Sequence, residues 1–593
     1  MASPSHKLIN LLKQCDSFKL LKQIHSQMII NSITDKQNYL LSKLIDLKVN
    51  SDYTLFFFSH ISEPNDFSYN LIIRALTNTW HDYSLTLQLY FEMKGFGIEP
   101  NNFTYPFLLI SCANLPSLSI GRLAHSCVVK LGLELDSHIT HSLITMYSRC
   151  GDVCVARKVF DAITERDLVS WNSMISGYSK MGCSREAVGL FKEMRMKGCE
   201  PNEMSVVSVL GACGDLGDLS FGKLLEGLVV EKGFELNTFV GSSLINMFGK
   251  CGDLESARRI FDRMPVKKDS IPWNAMITGY AQNGAADEAI ALFHDMISAR
   301  AEANKITLSA VLSACASVGA IDLGKWVEEY SSKKGYLHDV YIATALVDMY
   351  AKCGSINQAH QIFKNMPSKN VVSWNAMISA LAVHGRAQDA IALFKSMLKD
   401  GTVCPDDITF VGVLSACVHV GLVEEGCQWF DLMGPTFGLI PKVEHYSCVV
   451  DLLARSGNLE EAWNFIEKMP EKPDAVMLGA LLGACKTRGN VEIGERVVSL
   501  LIDLEPANSG NYIISAKMYA NSKKWDDSAR MRGLMREKGV SKTPGVSWID
   551  IESQLHEFHA GEICLASNGI SQVFNSLNEE MKFEGYVPNT SYL

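Results

Sequence analysis

Apolar residues fall in a helical rhythm that restarts at fixed intervals along the chain. Between Leu168 and Asn202 they stand at Trp171, Met174, Ile175 and Tyr178, a spacing that predicts one amphipathic helix ended by Gly182. Ala187, Leu190, Phe191 and Met194 repeat the spacing, and Gly198 and Pro201 close this second run. Two short antiparallel helices in about 35 residues are too small to bury their own apolar faces, so each pair requires a like neighbour.

The neighbours are legible as recurring phrases. Ser170-Trp171-Asn172-Ser173-Met174-Ile175 returns as Pro272-Trp273-Asn274-Ala275-Met276-Ile277 and again as Ser373-Trp374-Asn375-Ala376-Met377-Ile378. The tryptophans are 102 and then 101 residues apart. Met146-Tyr147-Ser148-Arg149-Cys150-Gly151 keeps the same beat at Met247–Gly252 and Met349–Gly354, and Leu210-Gly211-Ala212-Cys213 does so at Leu312–Cys315 and Leu414–Cys417. Such self-similarity marks a repeat array. Units of roughly 35, 35 and 31–32 residues alternate in the blocks 66–167, 168–269, 270–370 and 371–474. Residues 1–65 read as a degenerate long unit followed by a degenerate short one, and after residue 474 the period changes. The predicted fold is all-α: a right-handed superhelical α-solenoid of helix-turn-helix repeats with a concave groove.

Composition changes this picture in three places. Length alone, 593 residues, would suggest several domains, but an array grows in one dimension and overrides that count. The net charge of −10 argues against a nucleic-acid binder driven by a global positive field, so any such recognition must lean on base contacts. Seven of the 17 cysteines recur at repeat positions (Cys150, Cys251 and Cys353; Cys213, Cys315, Cys417 and Cys485) and none forms a Cys-x-x-Cys pair. They read as structural thiols in a reducing compartment, with no metal or other cofactor. No run of about 18 apolar residues is present, so no membrane partner is expected. Met1–Cys15 carries Lys7, Lys13 and no acidic residue, a pattern similar to a short organellar presequence although without arginine.

The unit ending Phe191-Lys192-Glu193-Met194-Arg195-Met196-Lys197-Gly198-Cys199-Glu200-Pro201-Asn202 resembles the pentatricopeptide repeat consensus. The alternation of standard, long and short units, with Lys250-Cys251-Gly252-Asp253 in a short one and Leu-x-Ala-Cys in the long ones, resembles the PLS subfamily of plant organellar proteins. The resemblance covers nearly the whole chain. It implies recognition of single-stranded organellar RNA at one base per repeat, in a mitochondrion or alternatively a chloroplast.

On that resemblance the fifth residue of each standard unit (Asn70, Asn172, Asn274, Asn375) and the unit's last residue (Asn101, Asn202, Asn304, Asp406) select the base. An amide offers both donor and acceptor to a Watson–Crick edge, although an asparagine beside a helix end also serves as a cap. Phe67, Val169, Ile271 and Val372, at the second position, are suited to wedge between bases. The family's pairing code implies pyrimidines for Asn with Asn, uracil for Asn375 with Asp406, guanine for Ser242 with Asp269 and adenine for Thr344 with Asn370. Ser447 and Asp474 hold the same positions in the last short unit, His141 with Asp167 departs from the code, and Val207, Ser309 and Val411 make the long units spacers or weak readers.

Leu481–Cys485 and Leu504–Tyr512 resemble the E1 and E2 motifs, giving a 475–542 segment, and Lys542–Asp550 resembles the box that opens an E+ extension over 543–593. In relatives this tail leads into a DYW cytidine deaminase. The His-x-Glu and Pro-Cys-x-x-Cys of a zinc deaminase are absent, and His556, His559, Glu562 and Cys564 do not have its spacing. The expectation is therefore a specificity factor, not an enzyme, that recruits a DYW-type deaminase in trans together with multiple organellar RNA editing factors. The rivals are a splicing, stability or translation factor, or a protein-binding scaffold. The expected target, 5′ to 3′, is pyrimidine-x-x-pyrimidine-x-G-pyrimidine-x-A-U. Exchanging its G and A should weaken binding measurably in a shift assay, and indifference to the exchange would count against the code.

Overall fold

The computed structural model describes residues 11–12, 14–31, 37–61, 63–264, 269–541, 546–551 and 554–559, the last two segments as backbone only. The predicted helix of Leu168–Asn202 spans Leu168–Lys180 and its partner Ser184–Met196. Gly182 takes φ +72°, which lets the Cys183 N–H return to the Tyr178 carbonyl at 2.9 Å and stop the first helix. Trp171, Met174, Ile175 and Tyr178 are buried, as are Ala187, Leu190, Phe191 and Met194.

The chain forms two compact units, Met1–Tyr336 and Leu337–Leu593. Within the first, the helices Tyr105–Asn114, Ser137–Arg149, Leu168–Lys180, Glu203–Leu216, Thr238–Lys250, Ser270–Gln282 and Lys305–Val318 each pack on the next. In the second, Val340–Lys352, Val371–Val383, Asp407–Val420, Val443–Ser456, Ala475–Arg488 and Ser509–Asn521 do the same. The second helices of the standard units pack on their own first helix and on the one that follows. Both units are α-solenoids, and the stacking continues past residue 474 through the hairpins Ala475–Arg488 with Val491–Leu504 and Ser509–Asn521 with Trp525–Glu537.

Two features explain why the recurring phrases recur. Trp171, Trp273 and Trp374 meet Phe160, Phe261 and Phe363 of the preceding short unit edge to face, with ring centroids 5.1, 5.0 and 5.0 Å apart. The tryptophan is thus the joint between blocks. First helices also approach closely: a Cβ added to Gly249 would stand 3.2 Å from the Cα of Gly279.

The ends of the array depart from its regularity. The unit 66–101 has one residue more than 168–202, and its first helix ends in a π-helical turn, Leu76–Trp80, that absorbs an extra residue without breaking the stack. Leu12 and Cys15 are buried with Leu21, Ile24, Met28, Leu40 and Phe57, so the presequence-like segment runs into the packed core; residues 1–10 lie outside the described part. The tail adds one short non-helical element to the all-α array. Val546–Ile551 and Gln554–His559 form an antiparallel hairpin in which Trp548 pairs with Glu557. Val546, Trp548, Ile549 and Ile551 favour extended backbone, and no 3.6-residue period runs through this stretch.

Phe160→Ala removes the ring on which Trp171 rests and should cost about 3–5 kcal/mol. Urea denaturation reads this as a lowered midpoint, and a loss below about 1 kcal/mol would show that the joint contributes little.

Candidate nucleic-acid interface

The last residue of each standard unit is first of all a structural device. Asn202 is the N-cap of Glu203–Leu216: its Oδ1 accepts the Ser205 N–H at 3.0 Å, and its own N–H donates to Ser205 Oγ at 3.2 Å. Asn304 with Thr307 and Asp406 with Thr409 form the same reciprocal box. At Asn101 the backbone N–H donates to Thr104 Oγ1 at 3.1 Å.

The fifth-position asparagine of the preceding helix plugs into this box. Asn172 Nδ2 donates to Asn202 Oδ1 at 3.1 Å, while its Oδ1 accepts the Ser205 hydroxyl at 2.6 Å. Asn70 does likewise with Asn101 and Thr104, at 3.0 and 2.6 Å, and Asn375 with Asp406 and Thr409, at 2.9 and 2.6 Å. Asn274 accepts the Thr307 hydroxyl. A closed ring of hydrogen bonds therefore fixes the orientation of the amide. One N–H and one lone pair of the Asn70, Asn172 and Asn375 amides are left over. The outward atom of the cap differs by a single element: a nitrogen donor on Asn202, an oxygen acceptor on Asp406.

These amides are edges rather than projecting fingers. Asn70 and Asn172 are half-buried, whereas Asn274 and Asn375 keep only 7% and 6% of their surface exposed. The flanking second-position residues do the reverse: Phe67, Val169, Ile271 and Val372 are each more than half exposed although apolar. Phe103, Met204, Phe239, Ile306, Tyr341 and Ile408 extend that row in the long and short units.

The short units are built differently. Ser242 and Ser447 have buried hydroxyls with no hydrogen-bond partner, and Thr344 returns its hydroxyl to the Val340 carbonyl at 2.7 Å. Asp269 caps Ile271 N and accepts the Thr238 hydroxyl at 2.9 Å, Asn370 caps Ser373, and Asp474 caps Met477. No hydrogen bond links Ser242 to Asp269, Thr344 to Asn370 or Ser447 to Asp474. A serine or threonine side chain is too short to reach the cap, whereas asparagine reaches it. His141, longer still, does too: its Nε2 lies 3.1 Å from Asp167 Oδ1.

Sequence reasoning missed the hydroxyl that joins each pair. Its signal was present as Asn101-x-x-Thr104, Asn202-x-x-Ser205, Asn304-x-x-Thr307 and Asp406-x-x-Thr409, a capping-box spacing at every standard-to-long junction. Cys112, Cys213, Cys315, Cys417 and Cys485 are buried; burial pushes the thiols of Cys112, Cys213 and Cys417 up to about 12 and that of Cys485 to about 11, so they stay protonated. Among the described residues no group of His, Cys, Asp or Glu is arranged to hold a metal, and no helix is long and apolar enough to cross a membrane. The side chains of His556 and His559, and residues Glu562 and Cys564, lie outside the described part.

Stacked helix pairs whose junctions present oriented amides define a helical-repeat protein. Family models identify which one. The PPR repeat family matches residues 166–215, 268–317 and 369–419, the PPR repeat matches 242–268, 341–371, 408–434 and 444–473, and the E motif matches 488–550. A mitochondrial pentatricopeptide repeat-containing protein of Arabidopsis thaliana is 38% identical over 590 residues, spanning 93% of this chain and 86% of its own length. A chloroplastic one from the same plant is 39% identical over 631 residues, spanning 99% and 84%. The crystal structure of the pentatricopeptide repeat protein PPR10 in complex with an 18-nt psaJ RNA element shares the fold, with a TM-score of 0.57 at 18% identity over 89% of this chain and 78% of that one. The chain belongs to the pentatricopeptide repeat family and carries its E motif.

Thr409→Val keeps the side-chain shape but removes the hydroxyl that caps Asp406 and holds Asn375. It should cost about 1 kcal/mol of stability. Hydrogen–deuterium exchange should show faster exchange of the peptide containing Asp406, and unchanged protection there would contradict the closed ring.

Proposed function

We propose that this protein is a sequence-specific single-stranded RNA-binding factor that marks sites of C-to-U editing in organellar transcripts. The observation that carries the reading is the oriented amide at each standard-to-long junction. Four such amides recur at one register, each flanked by an exposed apolar residue on which a base can rest. The blocks 66–167, 168–269, 270–370 and 371–474 present the readers. In this reading Asn70 with Asn101, Asn172 with Asn202 and Asn274 with Asn304 take pyrimidines, and Asn375 with Asp406 takes uracil. The short-unit pairs Ser242 with Asp269, Thr344 with Asn370 and Ser447 with Asp474 contribute less, because their members act separately in the free protein.

The family matches and the RNA-bound PPR10 structure support RNA binding, and relatives named mitochondrial or chloroplastic support an organellar location. Mitochondrion is the first choice and chloroplast the second. The E-type tail supports editing over splicing, stability or translation. On this reading the protein contributes the address, while a DYW-type deaminase recruited in trans with multiple organellar RNA editing factors contributes the chemistry. The acidic net charge of −10 is the one observation that favours a protein-binding scaffold instead.

A single-stranded RNA shift assay separates the two. Changing Asn172, Asn274 and Asn375 together to alanine should lower affinity by at least tenfold, whereas equal affinity before and after supports the scaffold. Organellar cDNA from a plant lacking the protein should contain at least one unedited cytidine. Fully edited transcripts would remove the editing role and leave RNA binding in place.

A further inference from the structure

Helix pairs continue past residue 474, but the charge on their first helices changes there. Between 340 and 456, four first helices carry Asp348, Asp407, Glu444 and Asp451 against only Lys352 and Arg455. Both of these bases are paired with an acid one turn earlier: Lys352 lies 2.9 Å from Asp348, and Arg455 lies 2.8 Å from Asp451. From 475 onwards the same layer is basic only. The first helices Ala475–Arg488 and Ser509–Asn521, with the turns after them, carry Lys486, Arg488, Lys517, Lys523 and Lys524. Neither 475–490 nor 509–524 contains an Asp or a Glu. The acids of 475–541 all lie in the second helices or at Glu505 between the two hairpins.

The register puts this charge on the stripe that carries the readers in the array. Counted from the N-caps Asp474 and Asn508, as from Asn370, the fifth position falls on Gly479 and Ile513, which carry no polar side chain. Lys517 stands four residues past Ile513, hence on the same stripe, and is exposed. Val476 keeps the second-position feature, an apolar side chain 77% exposed. Arg488 follows Ala484 by one turn, where Arg455 follows Asp451. Lys524 lies 3.5 Å from Glu495, whereas Lys486, Arg488, Lys517 and Lys523 have no ion pair among the described residues. Cations in a last turn complement the helix dipole, which accounts for Lys486 and Arg488 but not for Lys517, which precedes the last turn of its helix.

We propose that the first-helix face of 475–524 grips the phosphate backbone of single-stranded RNA lying 3′ of the bases the array reads, and holds it without reading sequence. This inference rests on the base-readout reading above, in which the RNA runs 5′ to 3′ along the chain. Cations without acidic partners on one layer fit a polyanion, and Val476 gives a base a surface to rest on. Gly479 and Ile513 offer no side-chain donor or acceptor, so nothing at the fifth position favours one base over another. The net charge of −10 over the whole chain conceals this local field.

The experiment uses the full chain and labelled single-stranded RNAs. A shorter RNA carries the expected target plus two 3′ nucleotides, one each for the units 407–442 and 443–474; a longer one adds two adenines or two uridines for the two tail hairpins. Either addition should strengthen binding about fivefold at low salt, and the log–log salt slope should steepen by roughly 0.7 for each phosphate met. Changing Lys486, Arg488, Lys517 and Lys523 together to glutamine should abolish this gain, while the shorter RNA still binds within about twofold, which also shows that the variant is folded. If the added nucleotides give no gain while replacing the target's final uracil still weakens binding, the grip fails and base readout stands. If that uracil does not discriminate, base readout itself fails and takes this proposal with it. A gain that differs more than about threefold between adenines and uridines would show sequence reading and overturn the proposal. So would a gain that survives in the glutamine variant, which would leave the basic face to an acidic protein partner.

Discussion

A helix pair of about 35 residues has more apolar face than it can cover by itself, and everything else in this protein follows from how that face is covered. First helices lie on first helices, close enough that a Cβ on Gly249 would stand 3.2 Å from Gly279, and Trp171, Trp273 and Trp374 each close against a phenylalanine of the unit before. Since each contact is with a neighbour, the spacing of any residue along the array is the spacing of the stack. A side chain repeated once per unit is thereby repeated in space, which is the condition for reading a polymer one element at a time.

The junction between units turns this spacing into chemistry. A helix start must satisfy its free N–H groups, and here the residue that does so is also the one expected to select a base. One oxygen of Asn202 or Asp406 is committed to the cap, which leaves the other atom, nitrogen or oxygen, as the variable. The bridging hydroxyl of Ser205 or Thr409 then fixes the neighbouring asparagine, so that amide is held on a rigid support rather than left as a free side chain. Reach decides which pairs join: asparagine and histidine span the gap, serine and threonine do not.

Much of this was legible from residue order. The helix pairs, their alternation and the register of Asn70, Asn172, Asn274 and Asn375 all follow from periodicity, because helix formation and capping are local. The hairpin at Val546–Ile551 and Gln554–His559 was not anticipated, since the tail's family motifs carry no helical or strand period of their own. The role of Thr104, Ser205, Thr307 and Thr409 was present as a capping-box spacing, but a box alone does not show that a third residue enters it.

The amino-acid sequence by itself determined that this chain is a stack of helix pairs and which side chains recur at a fixed interval. Only the tertiary structure decided which of those side chains meet. The standard-unit pairs stand 30 or 31 residues apart and the short-unit pairs 26 or 27, yet at the same spacing of 26 His141 meets Asp167 while Thr344 bonds only within its own helix. The reason is physical: a spacing brings two backbones alongside, while contact depends on side-chain length and on where hydroxyl and amide hydrogens already have partners.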